Sequence, residues 1–276
     1  MQNAGIAALG LNWRYLAFDV QPQDLGQAIT GAKAMKFAGL NLTVPHKILA
    51  MEMVDVLDAA AKNWGSVNTI RFEARAASGD WLPIHQLPPD DISEVRSHGF
   101  NTDADAILQA LREDLDYEVR GSRIILLGAG GAGRMAALKL ASAGVAHLHL
   151  LNRTLERAEA VAAEIRQRYP TVNVVIDYPS ERVDLVLNAT SLGLKPDDPS
   201  PLDESQFSLK RSVTAYDMIY RPAETPFLRA AKAAGCRVAN GLSMLLHQGS
   251  KALEIWTGQP APVEVMRAAL TKNIYG

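Results

Sequence analysis

An α/β chain of two domains is predicted by three observations. From about Gly121 onward, short apolar strands alternate regularly with helices. A Gly-x-Gly-x-x-Gly string, Gly128-Ala129-Gly130-Gly131-Ala132-Gly133, sits at the first strand-to-helix turn of that run. The first hundred residues mix strands and helices without that regularity. Continuous apolar strands between helices mean a parallel sheet covered on both faces. The second half is therefore expected to be a doubly wound, Rossmann-type domain.

The elements follow in order. Residues 14–20 carry aromatics and Val and are expected to form a strand. Pro22 and Asp24 open a helix through Phe37, stopped by Gly39. Residues 40–44 alternate apolar and polar side chains like a strand. Pro45 is a favoured residue at a helix start, and 47–62 is expected to be that helix. Residues 67–72 form another strand. Residues 78–99, with Pro83, Pro88 and Pro89 followed by Asp90 and Asp91, are expected to be a long loop holding a short helix at 91–97. Such a loop is either a surface excursion or a functional lid. In the second half, strands are expected at 123–127, 145–151, 172–176, 183–188 and 213–218, and a short one from Val238. Helices fill 132–143, 155–169 and 226–234, each of the first and last stopped by glycine. Helices from Gly241 to Trp256 and from Pro262 close the chain.

Composition narrows the function. The 276 residues hold 28 Lys+Arg and 30 Asp+Glu, a net charge of −2, which supports neither nucleic acid nor an anionic membrane as a partner bound by bulk charge. The 48 % apolar content suffices for a full core. A single cysteine, Cys236, excludes an internal disulfide and a multi-cysteine metal site. His147 and His149 share one face of a strand, but no third ligand accompanies them, so no metal is expected. The first cationic residue is Arg14, unlike the basic start of a signal peptide. No apolar run approaches the roughly 20 residues of a membrane helix. The expectation is a cytoplasmic protein that acts on small molecules.

The glycine string, between a strand and a helix, is the dinucleotide fingerprint. Its first glycine permits the tight turn, its second lets backbone approach a pyrophosphate, and its third lets helix and strand pack closely. The helix N-terminus supplies unpaired N–H groups and partial positive charge for phosphates. The tip of the next strand reads Asn152-Arg153-Thr154, with Arg157 one turn later. An NAD site usually carries a carboxylate there. Arginine suits a 2′-phosphate instead, because its planar fork matches phosphate oxygens. Asn152 and Thr154 add neutral hydrogen-bonding groups, and Thr154 also suits the helix N-cap. NADP is therefore expected in preference to NAD.

Three polar segments remain: Asn41-Leu-Thr-Val-Pro-His-Lys47, Val67-Asn68-Thr69 and Phe100-Asn101-Thr102-Asp103. Taken alone they are turns and caps. Asp103 suits the cap of a helix at 104–112, and Lys47 the first turn of another. Together with residues 66–69, 128–133, 152–154, Asn188-Ala-Thr-Ser191, Tyr216-Asp-Met-Ile-Tyr220 and Gly241-Leu-Ser-Met-Leu-Leu-His-Gln248, their order along nearly the whole chain resembles the shikimate dehydrogenase family.

That resemblance implies NADPH-dependent, reversible reduction of 3-dehydroshikimate to shikimate, a step of aromatic amino-acid synthesis. It implies Lys47 and Asp103 as the catalytic acid–base pair. Asn68, Gln248, Thr43 and Tyr220 are implied around the substrate. Gly128, Ala129, Gly130, Gly131, Ala132, Gly133, Asn152, Arg153, Thr154, Arg157, Asn188, Thr190, Ser191, Met218 and Gly241 are implied around the cofactor. Chemically, hydride addition to a ketone leaves an alkoxide that needs a proton, which a protonated lysine supplies together with charge. The implied organisation is a substrate domain of 1–103 plus 242–276, an NADP domain of 104–241 and a cleft between them, in a monomer or homodimer. The family also carries an initial strand and a Ser-x-Ser segment for the substrate carboxylate, and no Ser-x-Ser occurs in residues 1–65. Two alternatives stay open: a quinate/shikimate dehydrogenase with NAD or mixed cofactor use, and a silent NADP-binding or metabolite-sensing module.

Overall fold

The computed structural model describes residues 1–92, 94–195 and 197–276, with only the backbone of Pro89. The chain divides into two compact units. Unit 1 is Met1–Asp103 with Leu246–Leu270, and unit 2 is Ala104–Leu245 with Thr271–Gly276.

Unit 1 opens with α1 (Gln2–Ala8) and α2 (Leu25–Ala34), then β1 (Gly39–Asn41), α3 (His46–Leu49), β2 (Val56–Leu57), α4 (Ala59–Trp64), β3 (Thr69–Arg75), β4 (Trp81–Pro83) and β5 (Val95–Phe100). The sheet order is β1-β3-β5-β2, with β4 also paired to β3. The β1, β4 and β5 pairings to β3 are antiparallel, and β2 joins β5 in parallel. Its core gathers Leu25, Ile29, Ile70, Phe72 and Ile84. Local chemistry sets the ends of α4. The Asp58 side chain accepts from Ala61 N at 2.6 Å, and Gly65 closes the helix at φ +68°.

Several expectations for this half are corrected. Residues 14–20 form no strand, because no described segment pairs with them. Their contacts involve side chains instead: Asn3 brackets Tyr15 through both backbone groups, and the Phe18 ring lies 6.4 Å from that of Phe37. The helix expected from Pro22 starts as a 3-10 turn and turns α-helical at Leu25. The helix expected over 47–62 is broken in two. Between its halves Asp55 exchanges hydrogen bonds with Ser97, which draws Val56 and Leu57 onto the edge of β5. The long loop expected at 78–99 holds two strands: β4 folds back on β3, and β5 covers β3's other edge. Among the described residues of 91–97 no α-helix forms: a 3-10 turn at Pro89–Asp91 precedes β5. The α1 helix was not foreseen.

Unit 2 holds α5 (Asp103–Leu115, which starts at the boundary), β6 (Arg123–Leu127), α6 (Gly131–Ser142), β7 (His147–Leu151), α7 (Leu155–Arg168), β8 (Asn173–Val175), β9 (Val183–Asn188), β10 (Ser212–Asp217), α8 (Pro226–Ala233), β11 (Arg237–Asn240) and the first turn of α9 (Leu242–Thr257). The last helix, α10 (Val263–Tyr275), spans the other boundary. The strands run β11-β10-β9-β6-β7-β8, all parallel. Read from the other edge, that is the doubly wound order in which the chain reverses between β6 and β9. On α7, Ala158, Val161, Ala162 and Ile165 are buried at helical spacing, so one stripe faces the sheet.

One buried ionic group stands out in unit 1. Glu73 on β3 is 1 % exposed. It takes hydrogen bonds from Arg71, from Arg96 Nε at 2.7 Å and from His98 Nδ1 at 3.1 Å. Burial pushes its pKa up, but these donors outweigh burial and hold it at about 2. A carboxylate depressed by folding stabilises the fold above its unfolded pKa and loses that contribution as pH falls. Replacing Glu73 by Gln should therefore cost roughly 3 kcal/mol at neutral pH. The gap between parent and variant should close as pH drops from 4.5 towards 2. Thermal melting of both proteins across that range checks it, and a gap that stays constant would refute it.

Candidate active site

In unit 1 the sheet register gathers three polar segments. Asn41 ends β1 opposite Thr69, and Thr69 starts β3 opposite Phe100, the last residue of β5. The chain leaves or enters the sheet on this line through 42–47, 66–68 and 101–103. Asn68, 2 % exposed, ties them together. Its Nδ2 donates to Thr102 Oγ1 at 2.9 Å, and its Oδ1 accepts from Thr102 N at 2.9 Å and Thr69 Oγ1 at 3.2 Å. Asn41 Nδ2 donates to Asn68 O at 3.2 Å and Thr69 Oγ1 at 3.0 Å. Asn101 Nδ2 donates to Ser66 O at 3.0 Å and Ser66 Oγ at 2.8 Å. Val67 N donates to Lys47 O at 2.8 Å, which pins the lysine backbone.

The outcome is a charge pair. Lys47 Nζ lies 2.8 Å from Asp103 Oδ2, with side-chain exposures of 29 % and 13 %. Fifty-six residues separate them in sequence. The ammonium is held in place yet open enough to meet a ligand. Thr43 is exposed on the same segment, and Gln248 is half-buried on α9 within unit 1. Helix α9 is anchored about two turns further on, where Trp256 Nε1 donates to Ile70 O at 2.9 Å.

Unit 2 carries the second constellation at the switch point. Gly128 adopts φ +106°, and a side chain there would press on Ala189 O and Thr190 Cγ2 at 3.0 Å. A Cβ on Gly133 would lie 2.1 Å from Gly128 O, so strand and helix approach as closely as bare backbone allows. At Gly130 and Gly131 a Cβ would meet no protein atom within 4 Å. The protein's own packing does not demand glycine there, and the space beside the backbone is open. No side chain caps α6 and no acidic residue occupies its first turn, so its N–H groups are left for an anion.

Arg153, Thr154 and Arg157 are exposed at the tip of β7, and Thr154 makes no side-chain capping bond. Asn152 turns inward instead: its Oδ1 accepts from Ala129 N at 2.9 Å and its Nδ2 donates to Thr154 O at 2.7 Å. This region fits a 2′-phosphorylated dinucleotide through two guanidinium groups and a hydroxyl. Tyr220 also belongs to unit 2, where its carbonyl accepts from Tyr275 Oη at 2.8 Å. Met218 and Gly241 meet closely: a Cβ on Gly241 would lie 2.1 Å from Met218 O.

Family models match along the chain. The shikimate dehydrogenase substrate binding domain matches residues 1–70, the shikimate/quinate 5-dehydrogenase model 110–194, and the shikimate 5′-dehydrogenase C-terminal domain 241–271. A shikimate dehydrogenase (NADP+) of Moorella thermoacetica is 41 % identical, over 98 % of this chain and 86 % of its own length. That of Methanopyrus kandleri is 37 % identical, over 99 % and 90 %. The chain belongs to the shikimate dehydrogenase family. A crystal structure of a shikimate dehydrogenase in complex with NADP+ superposes with a TM-score of 0.83 at 34 % identity, covering 100 % of this chain and 90 % of that one.

Within this member of the shikimate dehydrogenase family, sequence reading missed the residues that hold others in place. Thr102, Asn41 and Ser66 lie inside the quoted segments but pass as ordinary turn formers. Asp217 lies inside Tyr216-Asp-Met-Ile-Tyr220 and has no role in sequence terms. Asn188, expected beside the cofactor, is fully buried and commits its carboxamide to the protein. Among the described residues no group of three or more His, Cys, Asp and Glu gathers as for a metal ion. None of the described helices is long and apolar enough to cross a membrane.

Asn68→Ala should orphan Thr102 and loosen Asp103. A loss of about 2 kcal/mol is expected for removing a buried group with several partners. Urea denaturation checks it, with Thr43→Ala at an exposed position expected to stay within about 0.5 kcal/mol of the parent. Equal stability of the two variants would remove Asn68 from this role.

Proposed function

We propose that this chain catalyses reversible, NADPH-dependent reduction of 3-dehydroshikimate to shikimate, with Lys47 and Asp103 as its acid–base pair. The observation that carries the reading is the 2.8 Å contact between Lys47 Nζ and Asp103 Oδ2. Unit 1 is the substrate unit in this reading and unit 2 the NADP unit. Bound NADPH supplies the hydride.

The chain's own groups do the rest. As negative charge grows on the substrate carbonyl oxygen, the Lys47 ammonium lies against it and delivers a proton. Asp103 holds the ammonium on that line and balances its charge in the half-buried setting. In the oxidative direction Lys47 takes the hydroxyl proton back. Thr43 and Gln248 of unit 1 hold the substrate's hydroxyls, and Asn68 fixes the loops behind them. The open backbone at Gly130 and Gly131 and the free N–H groups of α6 take the pyrophosphate. Arg153 and Arg157 grip the 2′-phosphate, aided by Thr154. Both relatives above are shikimate dehydrogenases (NADP+), which supports the same cofactor.

The test follows the absorbance of reduced cofactor while shikimate or quinate is paired with NADP or NAD. Turnover with shikimate and NADP is expected. In Lys47→Ala, kcat should fall at least about 100-fold while NADP binding persists; unchanged turnover would remove Lys47 from the chemistry. Activity confined to quinate or to NAD would replace the substrate or cofactor assignment and leave the mechanism. NADP binding with no turnover in any pairing would establish the silent module instead.

The cofactor reading has its own test. Arg153→Ala should raise the KM for NADP about tenfold or more, through loss of a bidentate phosphate contact, and leave the KM for NAD nearly unchanged. Equal effects on both cofactors would show that Arg153 does not read the 2′-phosphate.

A further inference from the structure

Asp217 ends β10 with its side chain wholly buried. Its Oδ1 accepts from Asn188 Nδ2 at 3.0 Å and from Ile219 N at 3.0 Å, and its Oδ2 accepts from Thr225 Oγ1 at 2.7 Å. Among the described residues all of these donors are uncharged, and no cation pairs with the carboxylate. Burial pushes its pKa above the ordinary carboxylate value, against the pull of those three bonds. An unpaired buried charge costs stability. Its position offsets that cost with order in several loops at once.

The partners trace what it controls. Asn188 Oδ1 accepts from Thr190 N at 2.9 Å and Thr190 Oγ1 at 2.7 Å, and Asn188 Nδ2 also donates to Leu192 O at 3.1 Å. Leu192 N closes the loop on Thr190 Oγ1 at 3.1 Å. Residues 189 and 190 of this loop are the ones that abut Gly128. On the other side, Met218 N donates to Asn188 O at 2.9 Å, and Gly241 N to Ile219 O at 3.2 Å. One carboxylate therefore sets the loop after β9, the turn after β10 and, through that turn, Gly241.

We propose that Asp217 is a positioning residue for the cofactor, locking the 188–192 loop and the 218–219 turn into one rigid ledge beside the glycine loop. The proposal rests on the reading above that these segments hold NADP. Only an ionised carboxylate offers acceptors for all three donors without adding a donor of its own. Asparagine would turn an N–H₂ towards the Thr225 hydroxyl and leave the loop without its charged anchor.

The experiment compares the parent protein with Asp217→Asn in NADP titration, steady-state kinetics and thermal melting. The variant should melt at or above the parent's temperature, because a buried charge is gone. Its Kd for NADP should nevertheless rise about tenfold, with the KM for shikimate within twofold of the parent's. A merely structural role would lower melting temperature and cofactor affinity together, or move neither; either result overturns the proposal. Should Asp217→Asn fail to fold, Asn188→Ala carries the test, with the same tenfold rise expected and an unchanged Kd overturning it. Where both fold, the double variant should bind NADP no more weakly than the worse single one, since both act through one contact. Failure of the parent itself to bind NADP would overturn the cofactor reading and this proposal with it. Parent binding with unaffected variants would overturn the proposal alone.

Discussion

In the mixed sheet of unit 1, side chains of β3 alternate between faces, so a slip of one residue against β1 or β5 would turn every one of them over. The observed register sets Asn41, Thr69 and Phe100 side by side. The site depends on that constraint. Lysine 47 follows β1 by six residues, Asn68 immediately precedes β3 and Asp103 follows β5 by three. None of the three belongs to a strand. Each is placed by the point at which its chain leaves the sheet. The Asn68 carboxamide then fixes Thr102, and Thr102 is the neighbour of Asp103. Lys47 is held from the same side through Val67. A charge pair between flexible surface chains contributes little to stability and has no defined direction. This one is aimed, because backbone on both sides of it is bonded to the same three-residue stretch.

Unit 2 solves the same problem with parallel strands. There the chain reverses between β6 and β9, so the loops after these strands diverge and leave room between them. Close approach replaces side-chain packing at that point. Gly133 lets α6 press against the carbonyl of Gly128, and Gly128 in turn admits the loop after β9. The ends of β9 and β10 are then joined through Asn188 and Asp217. Both units thus place a buried polar side chain one residue from, or at, the end of a central strand, and use it to hold the adjoining loop.

How much of this could be read from sequence differs between the halves for a physical reason. The strands of unit 2 are buried on both faces, so they read as apolar runs, and glycines mark the ends of β6, α6 and α8. Val183–Asn188 and Arg123–Leu127 were expected with the bounds observed. Unit 1 hides its strands. On β5, Arg96 and His98 turn inward to Glu73, while Ser97 and Gly99 fill the other face. That pattern has no apolar alternation, and the segment reads as loop. The break within 47–62 depends on the bonds between Asp55 and Ser97, 42 residues apart, which no local pattern contains. For the site, the residue types of Lys47, Asp103 and Arg153 announce chemistry. Thr102 and Asp217 do not, because Thr or Asp at a strand end reads as an ordinary turn residue.

The buried polar groups explain why the scaffold is built in this costly way. Asn68, Thr69, Asn101 and Thr102 in unit 1, and Asn188, Asp217 and Thr225 in unit 2, are all at most 6 % exposed. Replacing both partners of a buried hydrogen bond by apolar groups of the same shape can be nearly neutral or stabilising. Hydrogen bonds differ from apolar contacts in having direction. A carboxamide with three bonds has one orientation, whereas a leucine in the same space has several packings of similar energy. Hydride transfer tolerates little error in distance or angle, and groups that stabilise developing charge act only when already oriented. The polar knots therefore belong beside the parts that must not move. They lie at the line of strand ends behind Lys47 and Asp103, and at the ledge beside the glycine loop. The Glu73 carboxylate, equally buried and only four residues beyond Thr69 on β3, shows the contrast: its donors satisfy a carboxylate inside the sheet and aim nothing outward.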